Sequence, residues 1–316
     1  MAGRRVLLFG ASGFLGRQVA AAFDRDPRAG RVIRVRRQRT DRLGTGWISH
    51  DLAAGADELA AVIRSVRPDV VVNCAGRLSG DTVQLVEANV LVTARMIEAV
   101  AREAPAARLV VLGSAAEYGP TPYGVPVDED YPACPIAPYG VTRLASTQLV
   151  LLAVNERRLD AAVLRVFNPI GPGIPPENLL GRAAASMRTA LTGGHNTVLL
   201  GPLDTYRDFV DVRDVATAIT MAALADQVKE PVLNVGSGRP VRCREAVSLM
   251  AEVAGFTGRV VEADPPPGRS RSVDWSAADL SRIERSFGWA PRYDLRASVM
   301  AIWRAGAPAD IRRAKH

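Results

Sequence analysis

Tyr139 and Arg143 stand four positions apart in the stretch PYGVTR. On a helix that spacing puts both side chains on one face, one turn apart. The pair sets a phenol beside a permanent cation. A free phenol has a pKa of about 10 and keeps its proton near neutrality. A neighbouring positive charge favours the phenolate, which lets the group carry a proton in a reaction. Arginine is large and planar and never gives up its own proton, so it supplies charge but no relay.

A second chemical motif lies at the N-terminus. LLFGASGFLG carries Gly10, Gly13 and Gly16 where an apolar strand gives way to a helix. The first glycine suits a tight turn, the second lets a pyrophosphate approach the backbone, and the third lets helix and strand pack closely. The helix start adds N–H groups and partial positive charge for phosphate. The second strand ends in VIRVRRQR, with Arg36 twenty residues after Gly16 and Arg37 next to it. An acid at that place holds the ribose 2′-hydroxyl of NAD; a guanidinium there suits a 2′-phosphate. The expected cofactor is therefore NADP(H) in preference to NAD(H). Asp51 follows the next short segment and is placed to bind the adenine amino group.

These groups need a scaffold. Apolar runs of four to six residues alternate with amphipathic stretches: RVLLFG, GRQVAAAFDRD, RVIRV, DELAAVIRSVR, DVVVNCAG, VLVTARMIEAVAREA, RLVVLGSAAEYG. The alternation predicts an α/β fold with a doubly wound parallel sheet and right-handed crossovers. After Phe167 the pattern changes to Pro/Gly loops, NPIGPGIPPEN and EADPPPGRSRS, between further helices and short strands. The expected division is a dinucleotide-binding domain over 1–168 plus about 208–235, and a smaller α/β domain over about 169–207 plus 236–316.

Composition narrows the classes. With 316 residues, 48% of them hydrophobic, the chain can bury a substantial core. Its three cysteines and three histidines show no ligand or disulfide spacing, so neither a zinc site nor a disulfide framework is expected, and a reducing cytoplasm is. No run of eighteen apolar residues suggests a membrane span. The net charge of +7 comes from arginines mixed with acids and not interleaved with aromatics, so no nucleic-acid partner is expected.

Taken together, GASGFLG, NCAG at 73–76, GSAAEYG at 113–119, RVFNPIGPG, RDFVDVRDVA, NVGSG and FGWAP resemble the extended short-chain dehydrogenase/reductase family, of the epimerase/dehydratase type with a Rossmann-type fold. The pattern is most similar to its nucleotide-sugar 4-ketoreductases, including reductases of GDP-4-keto-6-deoxymannose. In that family a lysine follows the tyrosine by four; here Arg143 stands in its place. The resemblance implies that Tyr139 carries the proton, Ser114 hydrogen-bonds the reacting oxygen, and Arg143 grips the nicotinamide ribose. It also implies a cofactor lining from Ser12, Phe14, Leu15, Leu52, Cys74, Ala75, Gly76 and Pro169, with Ile170 beside the nicotinamide. Asn89 joins that lining but is expected mainly to tie strand to helix. Arg77, Asn168, Asn178, Arg207 and Arg269 are implied as substrate contacts, with Arg271 an alternative to the last.

Dehydratases and decarboxylases of the family carry an acid two positions after the hydroxyl residue; Ala115 and Ala116 offer none, and Glu117 is expected to face elsewhere. The expected function is NADPH-dependent reduction of a keto group on a nucleotide-linked deoxysugar. The alternatives are an epimerase retaining NAD and a cofactor-binding protein without turnover. The resemblance implies a homodimer as well; the Ala-rich stretches 90–104 and 140–155 suit either its interface or simple burial in the core.

Overall fold

The computed structural model describes residues 3–37, 45–263 and 273–306. Continuous apolar runs build its centre. β1 (Arg4–Phe9) leads through the glycine turn into α1 (Phe14–Arg25), followed by β2 (Ala29–Arg36) and the short β3 (Trp47–Ser49). α2 (Ala56–Val66) and β4 (Val70–Asn73) come next. α3 (Thr82–Leu85) passes through a π-helical segment, Val86–Leu91, into α4 (Val92–Glu103). β5 (Arg108–Ser114) ends in a single 3-10 turn, Ala115–Glu117, ahead of α5 (Pro138–Asn155) and β6 (Asp160–Val166).

The remaining elements are shorter. They are β7 (Asn168–Ile170), α6 (Leu179–Gly193), β8 (Thr197–Leu200), β9 (Tyr206–Asp211), α7 (Val212–Leu224) and β10 (Val232–Val235). Then follow β11 (Pro240–Arg242), α8 (Cys243–Ala254), β12 (Arg259–Glu262), α9 (Ser281–Phe287) and α10 (Leu295–Ala305).

Seven strands form one sheet in the order β3-β2-β1-β4-β5-β6-β10, every pairing parallel. Both faces are covered, as an all-parallel sheet requires. Alternate residues of β1 serve the two cores: Val6 and Leu8 pack toward α1 and α7 with Ile219, while Leu7 and Phe9 pack toward α2 and α4 with Met96. Strand order reverses between β1 and β4, and the crevice at such a reversal is where open α/β sheets take ligands.

A three-stranded sheet, β11-β9-β7, and a two-stranded pair, β12-β8, make the smaller layer, closed by α6, α8 and α10 around Met187, Val247 and Val299. The chain returns to the large sheet at Val212: α7 packs on α1 and β10 pairs with β6. Residues 208–211, which the sequence reading grouped with the large sheet, continue β9 in the small one. Their burial is as complete as that of a central strand, so hydrophobic pattern alone does not reveal which sheet they join.

Candidate active site

The glycine turn is a cradle with no room for side chains. Gly10 has φ +71°, a left-handed value, and a Cβ there would meet the Ala75 nitrogen at 2.7 Å. A Cβ on Gly16 would collide with the Gly10 carbonyl. Gly13 caps α1 without a side-chain bond, and the first turn of α1 holds no acid. Its leading N–H groups and partial positive charge therefore face the turn. Ser12 and Gly13 are exposed, with Phe14 and Leu15 half-buried behind them. Such a backbone cradle fits a pyrophosphate.

The neighbouring strand ends complete the rim. Arg36 ends β2 with its guanidinium carbon 5.4 Å from the centre of the Trp47 ring. Exposed Arg37 accepts from the Ser49 hydroxyl at its carbonyl, 3.5 Å away, and the His50 N–H donates to the Arg36 carbonyl at 2.9 Å. Asp51 is exposed; its Oδ1 accepts from the Ala53 N–H at 3.0 Å, which turns the chain so that Leu52 packs on the core. At the end of β4 the Cys74 N–H donates to the Phe9 carbonyl at 3.1 Å. Burial pushes the Cys74 thiol up to about 12, leaving it an inert wall.

Tyr139 and Arg143 begin α5. Pro138 opens the helix after Ala137, a position where a missing N–H costs nothing. A Cβ on Gly140 would strike the Ala116 carbonyl, so the helix start sits hard against the end of β5. Arg143 is buried; its Nη1 donates to the Leu112 carbonyl at 3.1 Å, and its guanidinium lies 5.4 Å from the Tyr139 ring centre. Its Nη2 occupies the space a side chain at Gly76 would need. Its buried Nε has no hydrogen-bond partner in the protein. An orphaned donor between the ends of β4 and β5 fits a ribose hydroxyl.

Ser114 ends β5 half-buried. Its Oγ accepts from the Ala116 N–H at 3.2 Å, which leaves its proton for another acceptor. The Ser114 N–H donates to Glu117 Oε1 at 2.8 Å, closing a capping box. Glu117 is fully buried and turned away from the Ser114 hydroxyl: its Oε2 accepts from Thr147 Oγ1 at 2.9 Å and Arg165 Nε at 2.8 Å. The Ser-x-x-Glu spacing signals this box; the partner Arg165 on β6 has no local signal.

Asn89 ties strand to helix. Its Oδ1 accepts from the Arg77 N–H at 2.9 Å, and its Nδ2 donates to the Arg77 carbonyl and to Thr142 Oγ1, both at 3.1 Å. Its carbonyl, in the π-helical segment, accepts from the hydroxyls of Thr93 at 2.8 Å and Ser146 at 3.0 Å. With its amide engaged on both sides, Asn89 ties the segment after β4 to α5. Arg77 is exposed, its Nε donating to the Ser79 carbonyl at 2.9 Å.

Ser114 pairs in register with Val166, and the small sheet begins two residues beyond it at Asn168 and Pro169. Asn168 Nδ2 donates to the Asp208 carbonyl at 3.2 Å, and Ile170 is buried. Arg207 on β9 is buried, donating from Nη1 to the Tyr206 carbonyl at 2.7 Å; burial pulls its guanidinium below the usual arginine range. Asn178 precedes α6 with no side-chain cap bond. Arg269 and Arg271 lie outside the described residues. Gly10, Gly76, Ser114, Tyr139 and Arg143 thus share the carboxyl edge of the large sheet, with the small sheet springing from the same edge.

Comparison with known proteins identifies the family and the fold. Residues 6–236 match the profile of the NAD dependent epimerase/dehydratase family. A dTDP-6-deoxy-L-talose 4-dehydrogenase (NAD(P)(+)) from Kitasatospora kifunensis is 38% identical over 97% of each chain. A GDP-6-deoxy-D-mannose reductase from Pseudomonas aeruginosa is 28% identical over 74% of this chain and 79% of its own. The structure of RMD from Pseudomonas aeruginosa complexed with NADPH superposes with a TM-score of 0.80 at 25% identity, covering 96% of this chain and 98% of that one. The chain belongs to the NAD dependent epimerase/dehydratase family, the extended short-chain dehydrogenase/reductases, and is an NAD(P)-dependent enzyme of that family.

Proposed function

We propose that the protein interconverts a keto group and an alcohol at C4 of a nucleotide-linked deoxysugar, with NADP(H) favoured, acting as a 4-ketoreductase in the reducing direction. The observation that carries this reading is the rim formed by Ser114, Tyr139 and Arg143, with Ala115 and Ala116 where an acid would be needed to expel water. The 38%-identical relative named for C4 chemistry on a dTDP-deoxysugar supports it.

When bound, the nicotinamide supplies the hydride for reduction or takes it in oxidation. The rest is done by the chain. Ser114 donates its hydroxyl proton as a hydrogen bond to the sugar oxygen and fixes it in line. Tyr139 gives that oxygen its proton as the carbonyl becomes an alcohol, and takes it back in reverse. Arg143 keeps a positive charge over the phenol ring and offers its Nε to the cofactor ribose. Asn168, Asn178 and Arg207 meet the substrate, Arg207 serving the diphosphate. Gly10, Ser12, Gly13 and Gly16 hold the pyrophosphate, with Arg36 and Arg37 toward the 2′-phosphate.

The test is direct. Purified protein is given a dTDP- or GDP-linked 4-keto-6-deoxyhexose with NADPH or NADH, and loss of reduced cofactor and gain of the alcohol are followed. Turnover with NADPH preferred is the expected result. Protein that purifies with NAD tightly held, and inverts C4 without net consumption of cofactor, is instead an epimerase. We also propose a cytoplasmic homodimer. Exposed Val83, Leu91, Val141 and Leu152 lie on α3, the π-helical segment and α5, and no described helix is long and apolar enough to cross a membrane. Light scattering that returns the monomer mass excludes the dimer.

A further inference from the structure

A groove of about 370 Å³ has a lining that includes Ser12, Arg17, Asp24, Arg34 and Trp47, and the ring of the last lies under the Arg36 guanidinium. It runs from the phosphate turn along α1 to the edge strand β3. Two of its charges cancel: Arg34 Nη2 lies 2.5 Å from both carboxylate oxygens of Asp24. Without that pair Asp24 would repel an anion entering the groove. Exposed Arg17 makes a long bond, Nε to the Gly13 carbonyl at 3.4 Å. The wall is Trp47. Trp47 lies on the edge strand β3, in register with Arg34 of β2, with its ring packed on the core below α1 and the Arg36 guanidinium over its face. Contact through a ring face uses none of a guanidinium's in-plane N–H donors, and it holds the plane of the fork against rotation.

We propose that Trp47 is a positioning residue for cofactor choice: its indole props the Arg36 guanidinium at the mouth of this groove, where Ser12 and Arg17 complete a subsite for a 2′-phosphate. This rests on the reading of Arg36 as the 2′-phosphate contact. The indole itself donates nothing to the phosphate. Its effect passes through Arg36, so it separates NADPH from NADH and leaves their shared parts alone.

A double-mutant cycle with cofactor affinity as the readout tests this. Dissociation constants of NADPH and NADH are measured by titration for the parent, Trp47→Leu, Arg36→Ala and the double variant. A cation over an indole is worth about 1 kcal/mol at a half-exposed site, so Trp47→Leu is expected to weaken NADPH about five-fold. NADH binding is expected to stay unchanged, and Trp47→Leu to have no further effect once Arg36 is alanine. Trp47→Phe, which keeps a flat face, gives a smaller loss and covers the case where leucine disturbs the fold. Equal weakening of NADPH and NADH, or a Trp47 effect that persists in Arg36→Ala, overturns the inference. So does unchanged NADPH affinity in Trp47→Leu. If Arg36→Ala itself leaves the NADPH to NADH ratio unchanged, the NADP preference falls as well, and the two failures are told apart by that single variant.

Discussion

Replacing Glu117 with glutamine keeps the shape of the side chain and removes what its site requires. All three partners are donors: the Ser114 N–H at 2.8 Å on Oε1, and Thr147 Oγ1 at 2.9 Å with Arg165 Nε at 2.8 Å on Oε2. A carboxylate only accepts; an amide must turn its NH2 toward one of the two sets. Turned one way it opposes Ser114, and turned the other way it opposes Arg165. In both, the Arg165 charge, 4% exposed, loses its counter-charge, and its other neighbours are the Glu129 carbonyl at 3.1 Å and the Tyr118 ring at 4.7 Å. Removing one partner of a buried pair costs about 3–5 kcal/mol, and glutamine belongs near the lower end because it still accepts from one side. At about 2 cal/mol/K of unfolding entropy per residue over 316 residues, ~3 kcal/mol lowers Tm by about 5 °C. Loss of one hydrogen bond that holds Ser114 costs turnover about tenfold. Thermal melts and steady-state kinetics on the keto sugar measure both. Removing the pair together, Glu117→Met with Arg165→Met, is expected to cost less than Glu117→Met alone. A Glu117→Gln protein that melts within about 1 °C of the parent with full kcat refutes the reasoning.

Tyr139→Phe is expected to lower kcat at least ~100-fold while the NADPH dissociation constant holds, since only the proton carrier is lost; undiminished turnover removes Tyr139 from the chemistry. Gly76→Ala puts a methyl group where Arg143 Nη2 lies. It is expected to depress Tm and kcat in the parent and to cost less in an Arg143→Lys background, which lacks the fork; equal costs in both refute the contact. Burial holds the His50 imidazole below its usual range. A depressed folded-state value means that stability is full above about pH 6.5 and lost as pH falls through the folded value, because the unfolded chain takes up the proton first. His50→Phe, which keeps the edge contact with Phe9, is therefore expected to lose less Tm than the parent between about pH 7 and pH 5. Parallel Tm curves count against it.

What the sequence discloses here is local, and what it hides is paired across distance. The glycines of GASGFLG announce a strand-to-helix phosphate turn because their constraint is steric and lies within seven residues. Ser114 and Glu117 show a capping box by spacing alone, yet the reason that Glu117 faces inward is Arg165, two elements later. Trp47 carries no periodic signal, because β3 has three residues; it pairs in register with Arg34, and the Arg36 head reaches its ring only in the folded sheet. The same holds for β7 and β11, whose three-residue pieces join β9 through pairing that pattern does not encode. The π-helical segment at Asn89 is invisible in an amphipathic run, since six residues are too few for a change of period to show. Arg143 shows the division most clearly. PYGVTR gives its charge and its helical face, but not the room for its larger head. That room is made at Gly76, and the head is anchored on the Leu112 carbonyl. The arginine belongs to a site spread over β4, β5 and α5, so the effect of changing it depends on what stands at 76.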